Sequence, residues 1–504
     1  MKKWIARIGL TLLGITLLGA VGTYFFVKRA TAEMFGANTA LAEAAVPAPE
    51  TGRVVITNAK VLTPAADAFV AGQSVILASG KIAYVGDKPD MSGSPRIVDG
   101  SGMYLVPGFT DSHVHLWQSE NDLLLYVANG VTQVREMHGQ AHHLEWRDEI
   151  ADGRLGPKLF VTAAQLATYD FLPGIWQGLT SGRNVVRSDE DVRQTVNGLL
   201  EDGYDGLKAS SYLSLSAYKA ASRETKTHSA RFVGHLPVAA SLDDLWTSNQ
   251  QEVAHVEEFV KALDREFGGY TSQNTDDFLA FVASRSADVA RKVRERDMAV
   301  TSTLAIIDSF VRQKTDLETT LRAVSLEDVN PGVVEGQAMG WLPANNIYRV
   351  PQDYRTKDWK ERQQAYWSAY AQAQNILFRE LLKANATIFA GTDANVPVMV
   401  PGFSLHDEMK AMQAAGMSPA QVLASATLRP DAWMGVKSGQ IREGYDADLV
   451  LLREDPLADI DATDTIDTVF TGGRMLNRKS LDGLLEAVRE ANAKSREEDI
   501  QPFL

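Results

Sequence analysis

No cysteine occurs in the 504 residues, which removes disulfide frameworks, iron–sulfur clusters, thiolate zinc sites and cysteine nucleophiles together. Any metal must then be held by His and carboxylates, and the chain suits an oxidising compartment. Positive charge is also short. Lys+Arg 50 against Asp+Glu 64 leaves a formal net charge of −14, the wrong sign for displacing counterions from phosphates, so no nucleic-acid partner is expected. Low complexity is absent: 45% hydrophobic and 23% charged residues is the composition of a folded globular protein. The length suggests three domains at about 150 residues each, but α/β barrels run to ~250 residues as one unit, so two are expected.

What is present begins with an apolar segment. Lys2, Lys3 and Arg7 precede residues 8–27, 20 positions without a charge, the number a helix needs to cross ~30 Å of hydrocarbon. Residues 1–29 read as a membrane anchor or signal segment. Lys28 and Arg29 follow directly and the nearest Ala-x-Ala, Ala40 to Ala42, lies well downstream, which favours an uncleaved anchor with a periplasmic or otherwise extracytoplasmic catalytic part. Secretion after cleavage is the alternative. Residues 30–52, Ala-rich with Pro47 and Pro49, read as a linker.

Short β-branched runs then alternate with turn residues at 54–57, 74–77, 82–85 and 103–106. The same texture returns at 448–452 and 468–470 before Gly472-Gly473, so the flanks 53–106 and 436–480 are expected to build one composite β-sandwich domain. Between them, residues 107–435 alternate helix-like and strand-like stretches, as in 193–202, 207–210, 215–225 and 232–236, the mark of βαβ units and a parallel sheet. Ser418-Pro419 predicts a capped helix start, and residues 481–504 form a C-terminal helix or tail.

The scarce histidines, 9 in all, fall at telling places. His113 and His115 close Pro107-Gly108-Phe109-Thr110-Asp111-Ser112-His113-Val114-His115, and on a strand residues i and i+2 point the same way, so both imidazoles can reach one ion. Lys208 lies in Gly206-Leu207-Lys208-Ala209-Ser210; alone, a Lys is a solvated surface charge. His235 stands 27 residues on and His255 another 20, intervals that suit consecutive βα units. A lone His on an apolar strand is more often a packed core group, but two in register with Lys208 shift that balance. Asp393 ends the apolar run Ile388-Phe389-Ala390-Gly391-Thr392-Asp393, where a helix N-cap is the ordinary explanation. His138, His142, His143 and His228 read as surface groups, and His406 as packed or facing a substrate. The aromatic segment 308–374, with Trp341, Tyr348, Tyr354, Trp359, Tyr366 and Trp367, reads as a helical cap, a substrate clamp being the alternative.

The ordered set Pro-Gly-Phe-x-Asp-x-His-x-His, Lys208, His235, His255 and Gly-Thr-Asp393 resembles the amidohydrolase superfamily, in particular its imidazolonepropionase-like branch that includes binuclear metal-dependent dipeptidases. Gly439-Gln440-Ile441, Gly444, Ala447-Asp448-Leu449-Val450 and Gly472-Gly473-Arg474 extend the resemblance to the far flank. It implies an α/β fold: a (β/α)8 TIM barrel over 107–435 capped by the β-sandwich domain, with His113 and His115 ending strand 1, Lys208 strand 4, His235 strand 5, His255 strand 6 and Asp393 strand 8. Glu136 stands where relatives usually have Asp, and a long insertion separates His255 from Asp393; neither departure is expected to touch a ligand.

The resemblance further implies two divalent ions, zinc by ligand chemistry, bridged by N6-carboxylated Lys208. His113, His115 and Asp393 would hold one ion and His235 and His255 the other. A metal-bridging hydroxide would attack a small-molecule amide, such as a dipeptide or N-acyl amino acid, with Asp393 moving the proton to the leaving nitrogen. The rivals are a mononuclear cyclic amidohydrolase or deaminase on the same fold, and a catalytically inactive membrane-tethered binding protein. Homo-oligomer formation is left open.

Overall fold

The computed structural model describes the backbone of residues 2–504 and the side chains of residue 4, residues 18, 19 and 21–504. The expected membrane segment falls largely outside the residues with described side chains; its backbone belongs to one helix, α1 (Lys2–Met34). Among the described residues no helix is long and apolar enough to cross a membrane.

Of residues 30–52, read as a linker, 30–34 belong to α1 and 35–50 are a strap tied to the body. Gln118 donates its backbone N–H to Phe35 O at 3.0 Å, and Glu50 donates to Gly473 O at 2.8 Å. Asn121 brackets the strap, donating to Ala40 O at 2.8 Å and accepting from Ala42 N at 2.9 Å. Backbone groups that a free linker would leave to water find fixed partners here.

One hydrogen-bonded sheet draws strands from both flanks. Its order runs Arg474–Asn477, Ile466–Thr471, Leu449–Leu452, Tyr104–Pro107, Val54–Leu62, Phe69–Ala78, Lys81–Gly86, with Arg96–Asp99 also on Val54–Leu62. The seam between flanks is antiparallel, Leu449 facing Pro107 and Leu452 facing Tyr104.

The middle of the chain supplies eight parallel strands in alternation with helices, β1 (Phe109–Val114), β2 (Val131–Gly139), β3 (Lys158–Ala167), β4 (Gly206–Ala209), β5 (Arg231–Gly234), β6 (Glu252–Val253), β7 (Ala299–Thr301) and β8 (Thr387–Phe389), and a two-residue ninth, Asn184–Val185, that pairs in parallel with β3. β1 to β5 are neighbours in chain order in one sheet, and β6 to β8 form a second. β1 and β2 are buried at every position, as expected of parallel strands covered on both faces. Hydrogen bonds run on from each sheet to the other: Ala254 N–H to Gly234 O at 2.9 Å, and Ser112 N–H to Ala390 O at 2.9 Å.

Side chains start the helices where the sequence signals it. Ser188 accepts from Asp191 N to open Asp189–Glu201, and Ser418 accepts from Gln421 N to open Pro419–Ser425 with Pro at the first turn. Between the two parallel sheets, fully buried Arg135 on β2 pairs with Glu252 on β6 and lies 4.7 Å from the Trp433 ring. A buried ion pair joining β2 to β6 fixes their relative height.

Candidate active site

The carboxyl ends of the strands gather the six residues singled out by the sequence. His113 lies on β1 and His115 just past it, Lys208 on β4, His235 after β5, His255 after β6 and Asp393 shortly beyond β8. The Nε2 atoms of His113 and His115 stand 3.4 and 3.1 Å from the same Asp393 oxygen. Ligand atoms of these three all fall within 4.8 Å of one another, compact enough for one ion. Lys208 Nζ approaches His113 Nε2 at 3.1 Å. The His255 ring sits 4.5 Å from that of His113 and 5.2 Å from that of His235, so four imidazoles form a continuous row.

Backbone conformation delivers Asp393. Its φ of 59° lies in the left-handed region, a strained position for a residue with a Cβ. The conformation is held by its N–H on His113 O at 2.8 Å. Neighbouring Thr392 adds two bonds to buried Asp111, at 3.1 Å from its N–H and 2.6 Å from its hydroxyl. Gly234 is equally constrained: with φ of 113°, a Cβ there would lie 2.7 Å from Ala209 O and 2.7 Å from Lys208 Cγ. Absence of a side chain lets β5 press against the strand that carries Lys208.

Burial sets the charge states. It lowers the pKa of all four rings below the ordinary imidazole value, and the Lys208 charge pushes His113 lower still. Neutral rings keep the lone pairs that a metal needs. Burial also pulls Lys208 down to about 8, against the opposing pull of Asp393 and Glu136. Burial alone would raise Asp393, but the bond from His115 and the charges of His115, His255 and Lys208 hold it below the usual carboxylate range. Nδ1 of His113 and of His115 are buried without a protein partner. An all-nitrogen-and-oxygen donor set of neutral imidazoles and one ionised carboxylate fits zinc, manganese or iron.

A cavity of about 500 Å³ opens onto His115, His235, His255 and Asp393. That is the size of a small-molecule site.

A model of the amidohydrolase family matches residues 349–476, a stretch that contains Asp393 and the closing strands of the flank sheet. Over that stretch the chain is similar to the amidohydrolase family. Ochratoxinase of Aspergillus niger is 32% identical over 105 residues, 19% of this chain and 21% of that relative, so the match spans about a fifth of the relative's length. Among solved structures, bottromycin amidohydrolase superposes with a TM-score of 0.64 at 22% identity, covering 87% of this chain and 90% of that one. A Xaa-Pro dipeptidase with bound methionine gives 0.60 at 17% identity, covering 84% and 100%. At such identities the likeness is one of fold.

Around the six residues the chain carries groups that the sequence reading missed or misplaced. Glu136, expected away from the ligands, lies 3.9 Å from His115 Nδ1, because Val114 of β1 is in register with it on β2. Its carboxylate accepts from Leu116 N at 2.5 Å and His138 N at 2.6 Å, while burial lifts its pKa to about 7. His138, read as a surface group, is buried in the cavity wall and donates from Nε2 to Ser181 O at 2.7 Å. The i, i+2 alternation from Glu136 to His138 beside β1 was the available signal. His143 is likewise buried, whereas His228 is exposed and His406 is packed between Thr463 and Asn129.

Helix α3 (Glu257–Phe267) brings Glu258, which accepts from His235 Nδ1 at 3.0 Å, and Thr303 shares a 3.0 Å hydrogen bond with His255 Nδ1. Both leave Nε2 of their ring free. Arg183 lines the cavity with its guanidinium 5.5 Å from the Tyr212 ring and a buried Nε that has no partner. The insertion packs largely on the helices before it: Trp341 is fully buried, the Tyr366 ring stacks 4.3 Å from Tyr270, and only Ala338 and Met339 of this segment line the cavity among the described residues.

Proposed function

We propose that the chain is a metal-dependent hydrolase of a C–N amide bond in a small molecule that carries a carboxylate, such as a dipeptide or N-acyl amino acid. The observation that carries this reading is a fully buried lysine within a row of four neutral imidazoles and an ionised Asp393 at the ends of parallel strands. We read the two parallel sheets, continuous through the bonds at Ala254 and Ser112, as one closed (β/α)8 barrel.

His113, His115 and Asp393 would hold one ion and His235 and His255 a second. Divalent ions would supply what side chains lack, lowering the pKa of water towards ~7 and withdrawing charge from a carbonyl. Lys208 joins the two sets. With its pKa at about 8, a fraction of the amine is neutral at pH 7, and that amine can add to carbon dioxide, releasing one proton and gaining a carbamate with two ligand oxygens. Asp393 takes the proton of the attacking water and hands it to the departing nitrogen. Glu258 and Thr303 orient His235 and His255, and the free Nε of Arg183 offers a charged bond to the substrate carboxylate. Amide-cleaving relatives and neighbours named ochratoxinase and Xaa-Pro dipeptidase support the class.

A second reading keeps one ion on His113, His115 and Asp393, favoured because these three form the compact trio among the described residues. Elemental analysis of the full chain grown with bicarbonate and zinc separates the two: about two ions per chain supports the first, about one the second. Lys208→Ala is expected to lose activity and bound metal together. Full activity in that variant would overturn the two-ion reading, and no bound metal in the wild type would overturn both.

A further inference from the structure

One helix beside the cavity contradicts the chemistry of an aqueous surface. Helix α2 (Phe171–Thr180) has the sequence FLPGIWQGLT, with Gln177 as its sole polar side chain before Thr180. Phe171 and Leu172 are 67% and 73% exposed, and Ile175 and Trp176 on the next turn are exposed as well. Helix α1 packs against α2 and presents Leu18, Val21, Tyr24, Phe25 and Phe26 to the outside. Contiguous exposed apolar surface of this kind marks an interaction site.

The same two helices form the cavity wall. Met34 and Phe35 at the end of α1, and Trp176 and Thr180 of α2, line it together with His115 and Asp393. α1 is also the helix whose residues 8–27 carry no charge, followed at once by Lys28 and Arg29. At ~1.5 Å per residue, Phe35 lies roughly 12 Å beyond the end of that run, just outside a headgroup layer of roughly 5–8 Å. Arg187, exposed beside Phe171 with its guanidinium 5.7 Å from that ring, adds a cation at the rim of the patch in a chain that is otherwise net acidic.

We propose that α2 and the outer face of α1 dock on a lipid bilayer, and that the cavity receives amphiphilic N-acyl amides from it. The substrate half rests on the amide-hydrolase reading above; the docking half does not. Aliphatic and aromatic residues of α2 enter the acyl boundary, Lys28, Arg29 and Arg187 meet lipid phosphates, and a substrate whose acyl chain stays in the lipid passes its amide between Phe35 and Trp176 to the buried site. Continuity of the patch with the uncharged run, and its cationic rim, single out lipid over a second copy of the chain.

The absence of cysteine makes the test direct, since one introduced thiol takes all the label. Full-length Leu172→Cys and Glu201→Cys proteins carry a nitroxide and are reconstituted in phosphatidylcholine–phosphatidylglycerol vesicles. Glu201 is exposed at the end of the helix that precedes β4, on the face opposite the site. The label at 172 is expected to gain collisions with oxygen and lose those with an aqueous nickel chelate, while the label at 201 stays nickel-accessible. Equal nickel access at both positions overturns the docking, and so does dipolar broadening between labels at 172, which would mean that a second copy covers the patch. In the activity arm, Phe171→Ser/Leu172→Ser is expected to lose at least tenfold in the hydrolysis of vesicle-borne N-hexadecanoyl amino acids and to keep the wild-type rate on N-acetyl ones. Equal effects on both overturn the substrate half. No hydrolysis of either by the wild type would refute the amide-hydrolase reading while leaving the label result standing.

Discussion

Replacing Gly234 by Ala tests whether the Lys208 strand is held by backbone contact. The added Cβ would stand 2.7 Å from Ala209 O and 2.9 Å from Ala209 N, atoms of the adjoining strand that cannot rotate away, and φ at this position is 113°. Left-handed backbone on a residue with a Cβ costs about 1–2 kcal/mol, and overpacking adds about 1–3. Together these give about 2–5 kcal/mol, or a fall in melting temperature of roughly 2–10 °C for a chain of this size. Relief comes by parting β4 from β5, which separates Lys208 from His235, so bound metal is expected to fall as well. Gly198 supplies the opposite case, lying within a helix with nothing within 4 Å of its Cβ position. Gly198→Ala is expected to stabilise by about 0.5–1 kcal/mol through helix propensity and leave the metal content unchanged. Scanning calorimetry and elemental analysis of both variants give the answer. A Gly234→Ala protein that melts and binds metal like the wild type would refute the argument.

Glu258→Gln keeps the shape of the group that orients His235 and removes its charge, so metal affinity is expected to drop about 10–100-fold in a chelator competition, with little change in fold. Arg183→Lys is expected to raise KM about 10–100-fold for amides bearing a carboxylate, and to leave neutral amides unaffected; equal KM changes for both would remove the guanidinium from recognition. His406 gives a pH prediction. Burial lowers its pKa to about 4, so between pH 6.5 and 4 the unfolded chain binds the proton first, and stability falls as pH falls through that window. The loss attributable to this ring is about 3 kcal/mol, and a His406→Gln protein should show a correspondingly shallower decline of melting temperature from pH 7 to 4.

What the sequence disclosed was set by period and place. Spacing put Lys208, His235 and His255 on consecutive βα units and His113 and His115 on one face of a strand, while Asp393 joined them only through the family resemblance. The groups that tune them were less visible. Glu258 comes from a helix, Thr303 from a residue with φ of 46° and Arg183 from the segment just after α2, and which of these packs over which ring depends on tertiary contacts that no local pattern encodes. Glu136 and His138 were within reach, since two inward positions on β2 beside β1 must face the same interior as His113. The strap escaped notice because its Ala- and Pro-rich composition is that of a linker, and only the bonds to Asn121 and Gly473 distinguish it.

That strap also fixes an order of events during synthesis. Ala40 donates its N–H to Ser495 Oγ across 455 residues of chain, and Tyr104–Pro107 must wait for Leu449–Leu452 to complete its edge. At roughly 5–20 residues per second, the first-made residues stand without their partners for roughly 20 to 90 s. During that interval the strand Tyr104–Pro107 is an open edge able to pair with another nascent chain. A chain that closes its beginning on its end cannot mature from front to back, and its survival in the cell depends on how that waiting edge is guarded.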